Sequence, residues 1–148
     1  MRLFCLLIMS FFLSSPVARA AGSDCWKKSG EAAIQACSKI INSKQASDQS
    51  DRAQTLSLAY FHRGNAYFVK RNYDRAIDNY DDAIRLNPKY LKAYHIRGNA
   101  YYLKGFYEKA LADFDQVIHL DPSYKAVTYY RQLTQKKLLL LKKEQEKK

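Results

Sequence analysis

The chain has few of the residues that build catalytic loops or hold metal ions. Among its 148 residues are 5 glycines and 3 histidines, and no Gly-rich phosphate loop, GxSxG or HExxH motif occurs. The histidines, His62, His95 and His119, are scattered without the spacing of metal ligands. The sequence therefore predicts no catalytic residues, no metal site, no cofactor and a function other than an enzyme's.

Long apolar runs are also missing, except near the start of the chain. Arg2 precedes an 11-residue apolar run at residues 3–13, and Ala18-Arg19-Ala20 follows. The run is shorter than the roughly 20 residues that span a bilayer, and the whole pattern is typical of a cleaved signal peptide. We expect residues 1–20 to be removed after Ala20, which makes the mature protein periplasmic or secreted. The alternative is an uncleaved anchor.

Cysteine is scarce as well, with three in the chain. Cys5 lies in the predicted signal peptide, which leaves Cys25 and Cys37. An even pair in an exported chain predicts a disulfide, which would tie the N-terminal segment to the first helix. The alternative is two buried or free thiols.

The sequence contains a repeat of 34 residues. Residues 57–90 and 91–124 align without a gap, and 15 of the 34 positions are identical. This period, with matched residues at helical spacing, predicts stacked helix–turn–helix units with a concave binding surface. Gly64 and Gly98 fall inside helical patterns, where glycine costs about 1 kcal/mol relative to alanine; we expect them to allow close helix approach. The matched positions alternate aromatic with small residues: Tyr60, Gly64, Tyr67, Ala76, Tyr80, Ala83 and Pro88, then Tyr94, Gly98, Tyr101, Ala110, Phe114, Val117 and Pro122.

These matched residues resemble the tetratricopeptide repeat family, apart from Val117, where the family prefers alanine. The resemblance implies an all-α fold: a short right-handed α-solenoid of tetratricopeptide-type helix–turn–helix repeats with a C-terminal capping helix. It also implies protein binding instead of catalysis. A cysteine ahead of the pattern Ala33-Ile34-x-x-Cys37-x-x-Ile40 is similar to small exported bacterial proteins of this family.

The array is predicted to extend in both directions. Residues 33–41 repeat the pattern of 76–84, so the segment 21–56 should contain a half-repeat helix. The register implies about nine extra residues before the repeat at 57, which we assign to a polar loop at 43–52. Residues 125–148 are predicted to form a capping helix and a basic tail, because Arg131 keeps the register of Arg63 and Arg97.

The family resemblance also implies which residues would line the groove. They are the second, fifth, ninth and twelfth residues of each repeat. Asparagine amides there suit the backbone of an extended peptide, and aromatic rings supply contact area; the alternative for the asparagines is a packing role. Some family members grip a C-terminal carboxylate with lysine and asparagine, but Phe61 and Ile96 occupy two of those places here. The predicted partner-binding residues are Phe61, Asn65, Phe68, Lys92, His95, Asn99, Tyr102 and Tyr129.

The positive charge is concentrated at the C-terminus. The formal charge of +11 becomes +9 once Arg2 and Arg19 leave with the signal peptide. Lysines flank residues 138–141, four consecutive leucines that cannot all face one side of a helix. We expect a capping helix with a solvated lysine tail. Because at least one of the leucines should stay exposed, contact with an anionic membrane or polymer, or a homo-oligomer, is the alternative. Nucleic acid is not favoured as a partner, because the sequence contains no nucleic-acid module.

The sequence therefore predicts an exported adaptor that binds a peptide or helix of an envelope or secreted partner in its groove. The alternative is an envelope-associated protein whose basic Leu/Lys tail binds anionic lipid or polymer.

Overall fold

The computed structural model describes residues 24–43 and 49–147. The predicted signal peptide and part of the predicted polar loop lie outside these residues. A single helical turn at residues 24–27 comes first, and the described chain otherwise consists of helices and turns. The helices are α1 (Gly30–Asn42), α2 (Gln49–Val69), α3 (Tyr73–Leu86), α4 (Leu91–Leu103), α5 (Tyr107–Leu120) and α6 (Ala126–Gln145).

Each helix packs mainly on its neighbours in the sequence. The pairs α2–α3 and α4–α5 form the two predicted hairpins, α1 packs on α2, and α6 packs on α5. Helix α2 begins at Gln49, so residues 49–52, which we predicted as loop, are helical. Asp51 in the first turn suits the positive end of the helix dipole, and the polar composition that indicated a loop is also typical of a helix N-terminus.

The two complete repeats share one packing device, an aromatic ring seated on a glycine. A Cβ atom built on Gly64 would lie 2.7 Å from Cε1 of Tyr80, and one built on Gly98 would lie 2.6 Å from Cε1 of Phe114. Both rings are fully buried. The prediction of close helix approach at these glycines is therefore confirmed.

The turn inside each hairpin contains a residue in the left-handed region. Arg71 has φ 58° and Gly105, one repeat later, has φ 80°. The Arg71 N–H donates to the Phe68 carbonyl at 2.9 Å, and the Asn72 N–H donates to the Tyr67 carbonyl at 3.0 Å. In the second hairpin, the Gly105 N–H donates to the Tyr102 carbonyl and the Phe106 N–H donates to the Tyr101 carbonyl. This is the Schellman arrangement, in which glycine is preferred.

Replacing Arg71 with glycine should therefore stabilise the protein. Glycine adopts this φ without steric cost, and the gain exceeds its larger loss of chain entropy. We expect the free energy of unfolding to rise by about 0.5–1 kcal/mol. Chemical denaturation compared with Arg71→Ala, which removes the same side chain but keeps the strain, would check this. Equal stability of the two variants would contradict it.

A disulfide takes the place of the ring–glycine contact in the N-terminal half-repeat. Counting from the match of residue 33 with 76, Cys37 occupies the position of Tyr80. Cys37 is bonded to Cys25, with their Cα atoms 4.7 Å apart. Both sulfurs are buried in a cluster with Ala36, Ile40 and Ala59. A covalent bond therefore holds the half-repeat where the complete repeats use an aromatic core residue.

A half-buried arginine, Arg97, joins the two complete repeats. Arg97 donates from Nε and Nη2 to Asp113 in its own repeat, at 2.9 and 2.6 Å, and from Nη1 to Asp81 in the preceding one. Burial opposes the guanidinium charge, but the hydrogen bonds and charges of the two aspartates outweigh it and raise the pKa of Arg97. The paired, bidentate geometry makes this contact strong and directional.

The same contact recurs along the chain at intervals of 34 residues. Arg131 donates to Asp115, the equivalent of Asp81. Arg63 donates to Ser38 at 3.1 Å across 25 residues, whereas the Arg97 bond to Asp81 spans 16. The difference of nine residues agrees with the insertion inferred from the register. We call Arg63, Arg97 and Arg131 the arginine ladder; it links each repeat to the one before.

Candidate functional site

The predicted groove residues come from three helices, α2, α4 and α6, and the structure divides them into buried and accessible groups. At the fifth position of each repeat, Phe61 and His95 are buried, with 7% and 8% of their surface exposed. Phe61 packs on Tyr90, with ring centroids 4.8 Å apart, and Nδ1 of His95 lies 3.2 Å from the Tyr124 hydroxyl. Each is covered by the tyrosine that ends its own repeat, so little of either side chain is accessible at the predicted groove positions.

His95 is a polar group in an aromatic environment. Its ring lies 5.6 Å from the rings of Tyr124 and Tyr130 and 6.3 Å from that of Phe114. Burial lowers the pKa of His95, which favours the neutral ring at neutral pH. Its Nε2 is buried and makes no hydrogen bond within the described chain. An unpaired buried nitrogen of this kind costs about 1–3 kcal/mol.

The two asparagines at the ninth position have different surroundings. The Tyr80 hydroxyl donates to Oδ1 of Asn65 at 2.9 Å. Phe114, which replaces Tyr80 in the second repeat, has no hydroxyl, and no hydrogen bond from the Asn99 amide to another described residue is present. Both asparagines are half-buried. Asn65 therefore supports the core, as the packing alternative predicted, while the Asn99 amide has its donors and acceptor available to a ligand.

The aromatic residues at the twelfth position are held at the edge of the surface. Phe68 meets Tyr73 edge-on at 5.4 Å, and Tyr102 meets Tyr107 in the same way at 5.4 Å. Both are half-exposed. These contacts orient the rings before any ligand arrives, which lowers the entropy cost of binding.

Lys92 adds a positive charge to the predicted groove residues. Its side chain is exposed. Burial, and then the charge of Lys92, lowers the pKa of His62. The His62 ring in turn lies 5.2 Å from Trp26, which is 37% exposed. Trp26, which was not among the predicted groove residues, therefore extends the aromatic surface toward the N-terminal turn. The sequence feature that could have pointed to it is that it is the only tryptophan in the chain.

Helix α6 supplies an exposed apolar face. Tyr129 is 66% exposed, in contrast to Phe61 and His95, and its ring meets the Tyr130 ring edge-on at 5.6 Å. Tyr130 and Leu133 are also exposed. On α4 and α6, the predicted groove residues Asn99, Tyr102 and Tyr129 are therefore at least partly accessible, and Leu133 is exposed on the same helix as Tyr129. We call this set of residues, together with Lys92, the α4–α6 surface.

The described residues contain no cluster of histidine, cysteine and carboxylate groups that could hold a metal ion. On α3, Asp74 pairs with Lys104, Asp81 with Arg97, and Asp82 with Arg85. These carboxylates are therefore parts of ion pairs on the helix surface. In the described part of the chain, no helix combines the length and the apolar character that a membrane span needs.

Comparison with known proteins identifies the repeat. A family model described as tetratricopeptide repeat matches residues 57–90 and 91–124. The first TPR of Spaghetti (RPAP3) bound to the HSP90 peptide SRMEEVD is 24% identical, with a TM-score of 0.69, covering 84% of this chain and 94% of that one. The Arabidopsis OM64 TPR domain is 23% identical, with a TM-score of 0.67, covering 82% and 93%.

A third similar structure is the second TPR domain of human RPAP3 in complex with the HSP70 peptide SGPTIEEVD. It is 22% identical, with a TM-score of 0.58, covering 80% of this chain and 92% of that one. A search of curated proteins gives no match. At these identities the structural likeness establishes the fold, and the predicted short solenoid with its C-terminal helix is confirmed.

Proposed function

We propose that this protein, whose residues 57–124 match a family model described as tetratricopeptide repeat, is an adaptor that binds a peptide or short helix of a partner protein on the α4–α6 surface. The observation that carries the proposal is the Asn99 amide, which the core leaves unpaired while its counterpart Asn65 is bonded to Tyr80. Two structurally similar domains were solved with bound peptides, which supports peptide binding by this fold.

The chemistry of the surface suggests the character of the ligand. The Asn99 amide can both donate to and accept from a peptide backbone, and the rings of Tyr102 and Tyr129 can cover apolar side chains. The exposed Lys92 favours an acidic group in the ligand. Phe61 is buried and Ile96 offers no hydrogen bond, so the lysine and asparagine clamp of some family members is not reproduced here.

Export is the second part of the proposal. The apolar run at residues 3–13 and the small-residue site at Ala20 support cleavage and release into the periplasm or the exterior. The Cys25–Cys37 disulfide is the kind of bond that persists in an oxidising compartment. The partner is accordingly an envelope or secreted protein.

Loss of the α4–α6 surface should abolish capture of the partner. We expect the double change Asn99→Ala with Tyr102→Ala to weaken binding at least about tenfold, because truncating central contacts of an interface commonly costs more than 1 kcal/mol each. Proteins retained from the envelope fraction of the native host by wild type and by the variant would be quantified by mass spectrometry. Asn65 is left unchanged, since its removal would also unpair the Tyr80 hydroxyl in the core.

A matched control removes one exposed amide and one exposed ring elsewhere, with Gln135→Ala and Phe106→Ala. Both side chains are exposed and neither lies at a predicted groove position. The control should capture the partner as wild type does. Equal recovery from wild type and from the Asn99, Tyr102 variant would place binding elsewhere on the molecule.

A further inference from the structure

We propose that the C-terminal half of α6 lies on the surface of a bilayer that contains anionic lipids. The first observation is the length of this helix. Helix α4 has 13 residues and ends at Leu103, whereas α6, its equivalent one repeat later, has 20 residues and ends at Gln145. With a period of 34, Leu103 corresponds to residue 137, so residues 138–145 continue beyond the helix end in the preceding repeat.

This extension has little core to pack on. The buried residues of α6 are Val127 and Thr134, and both lie in its first half. Leu139 and Leu140 are 53% and 48% exposed, while Leu138 and Leu141 are partly covered. Two adjacent leucines are therefore presented to solvent at the end of the array, where exposure of such a pair is unfavourable unless another surface covers it.

Four lysines surround these two leucines. Residues three or four apart on a helix are neighbours, and six of the eight positions at those distances from Leu139 and Leu140 hold lysine, the other two being Gln135 and Glu144. All four lysines are exposed, and none takes part in the ion pairs found in the described part of the chain. They are Lys136, Lys137, Lys142 and Lys143. We call Leu139, Leu140 and these lysines the α6 tip.

An anionic bilayer matches both parts of the α6 tip at once. Its headgroups attract the ammonium groups, each of which strengthens binding near the surface. The leucines enter the boundary between headgroups and acyl chains, and the long lysine side chains reach back to the phosphates. A soluble polyanion would pair with the lysines but leave Leu139 and Leu140 in water. Because the helix has no apolar span, it lies on the bilayer and does not cross it.

The test is binding of the full mature protein to vesicles of phosphatidylcholine with or without phosphatidylglycerol, followed by cosedimentation. We expect binding only with phosphatidylglycerol. The change Lys142→Gln with Lys143→Gln should weaken it about fivefold for each charge removed, and Leu139→Ser with Leu140→Ser should weaken it at least about tenfold, since each leucine loses its burial in the bilayer.

Two control variants match these changes away from the α6 tip. Val69→Ser with Leu103→Ser removes two apolar side chains that are at least as exposed, and Lys89→Gln with Lys125→Gln removes two exposed charges. Both should bind vesicles nearly as wild type does, and thermal unfolding should show all four variants folded. If one of the two α6-tip variants unfolds, the other still tests whether the α6 tip binds the vesicles.

Several outcomes would overturn the proposal. Failure of the wild-type protein to bind phosphatidylglycerol vesicles would contradict it directly. Binding that survives the leucine change would indicate attraction to polyanions in general, which soluble polyphosphate would show by competing fully. Loss of a dimer in the leucine variant, without vesicle binding by wild type, would make the tip a contact between copies of the chain. Equal loss in the Lys89, Lys125 control would show a dependence on net charge alone, and equal loss in the Val69, Leu103 control would show that the position of the apolar residues does not matter.

Discussion

Replacing Cys25 and Cys37 with alanine should lower the free energy of unfolding by about 2–4 kcal/mol. The bond closes a loop with a sequence separation of 12 and restricts the unfolded chain. It also holds a half-repeat that lacks the ring–glycine contact of the complete repeats and packs mainly on α2. Denaturant unfolding of the oxidised wild type and of the double variant would measure the difference.

Reduction of the wild type provides the control. Adding a thiol reductant to wild type should reproduce most of the loss, whereas the double variant should not respond to it. Alanine is preferred to serine here, because both sites are buried and a hydroxyl would add a desolvation cost of its own. Coincident unfolding curves for oxidised wild type and the variant would show that the bond does not support the fold.

Changing Gly98 to alanine should destabilise the protein by about 1–3 kcal/mol, in spite of the better helix propensity of alanine. The new methyl group would lie 2.6, 2.9 and 3.1 Å from three atoms of the Phe114 ring. That ring is fully buried and cannot move without displacing its neighbours. Thermal or chemical unfolding of the variant would measure the loss.

A second-site change separates the clash from other effects. Phe114→Leu removes the ring atoms nearest to the new methyl group, so Gly98→Ala should cost much less in that background. The two changes should therefore be strongly non-additive, as contacting residues are in a double-mutant cycle. Gly64→Ala faces the Tyr80 ring at 2.7 Å and should behave similarly. Additive effects would contradict the ring–glycine packing.

Most of the fold could be predicted from the sequence because it is built from a local repeat. The period of 34 residues determines the helices and turns, and the register of the half-repeat predicts the nine-residue insertion that the arginine ladder also shows. The early start of α2 was missed, since serine, aspartate and glutamine suit both a loop and a helix N-terminus.

The candidate site was less predictable, because its accessibility depends on which side chains meet across the helices of each repeat. Phe61 and His95 match groove positions by register, but the tyrosines that end their repeats bury them. Asn65 and Asn99 are identical in the sequence pattern, yet the hydroxyl of Tyr80 pairs with the first, and Phe114 offers none to the second. That substitution of phenylalanine for tyrosine was visible in the repeat alignment, but its consequence required knowing that the two side chains meet.

The most direct test of the proposed adaptor function is photo-crosslinking from single positions in the native host. A photoreactive amino acid would replace Tyr102 in one variant and Gln135, an exposed residue outside the predicted groove, in another. We expect an envelope or secreted protein to be linked at position 102 and not at position 135. Linking of the same protein at position 135 alone, or at both positions equally, would contradict binding on the α4–α6 surface.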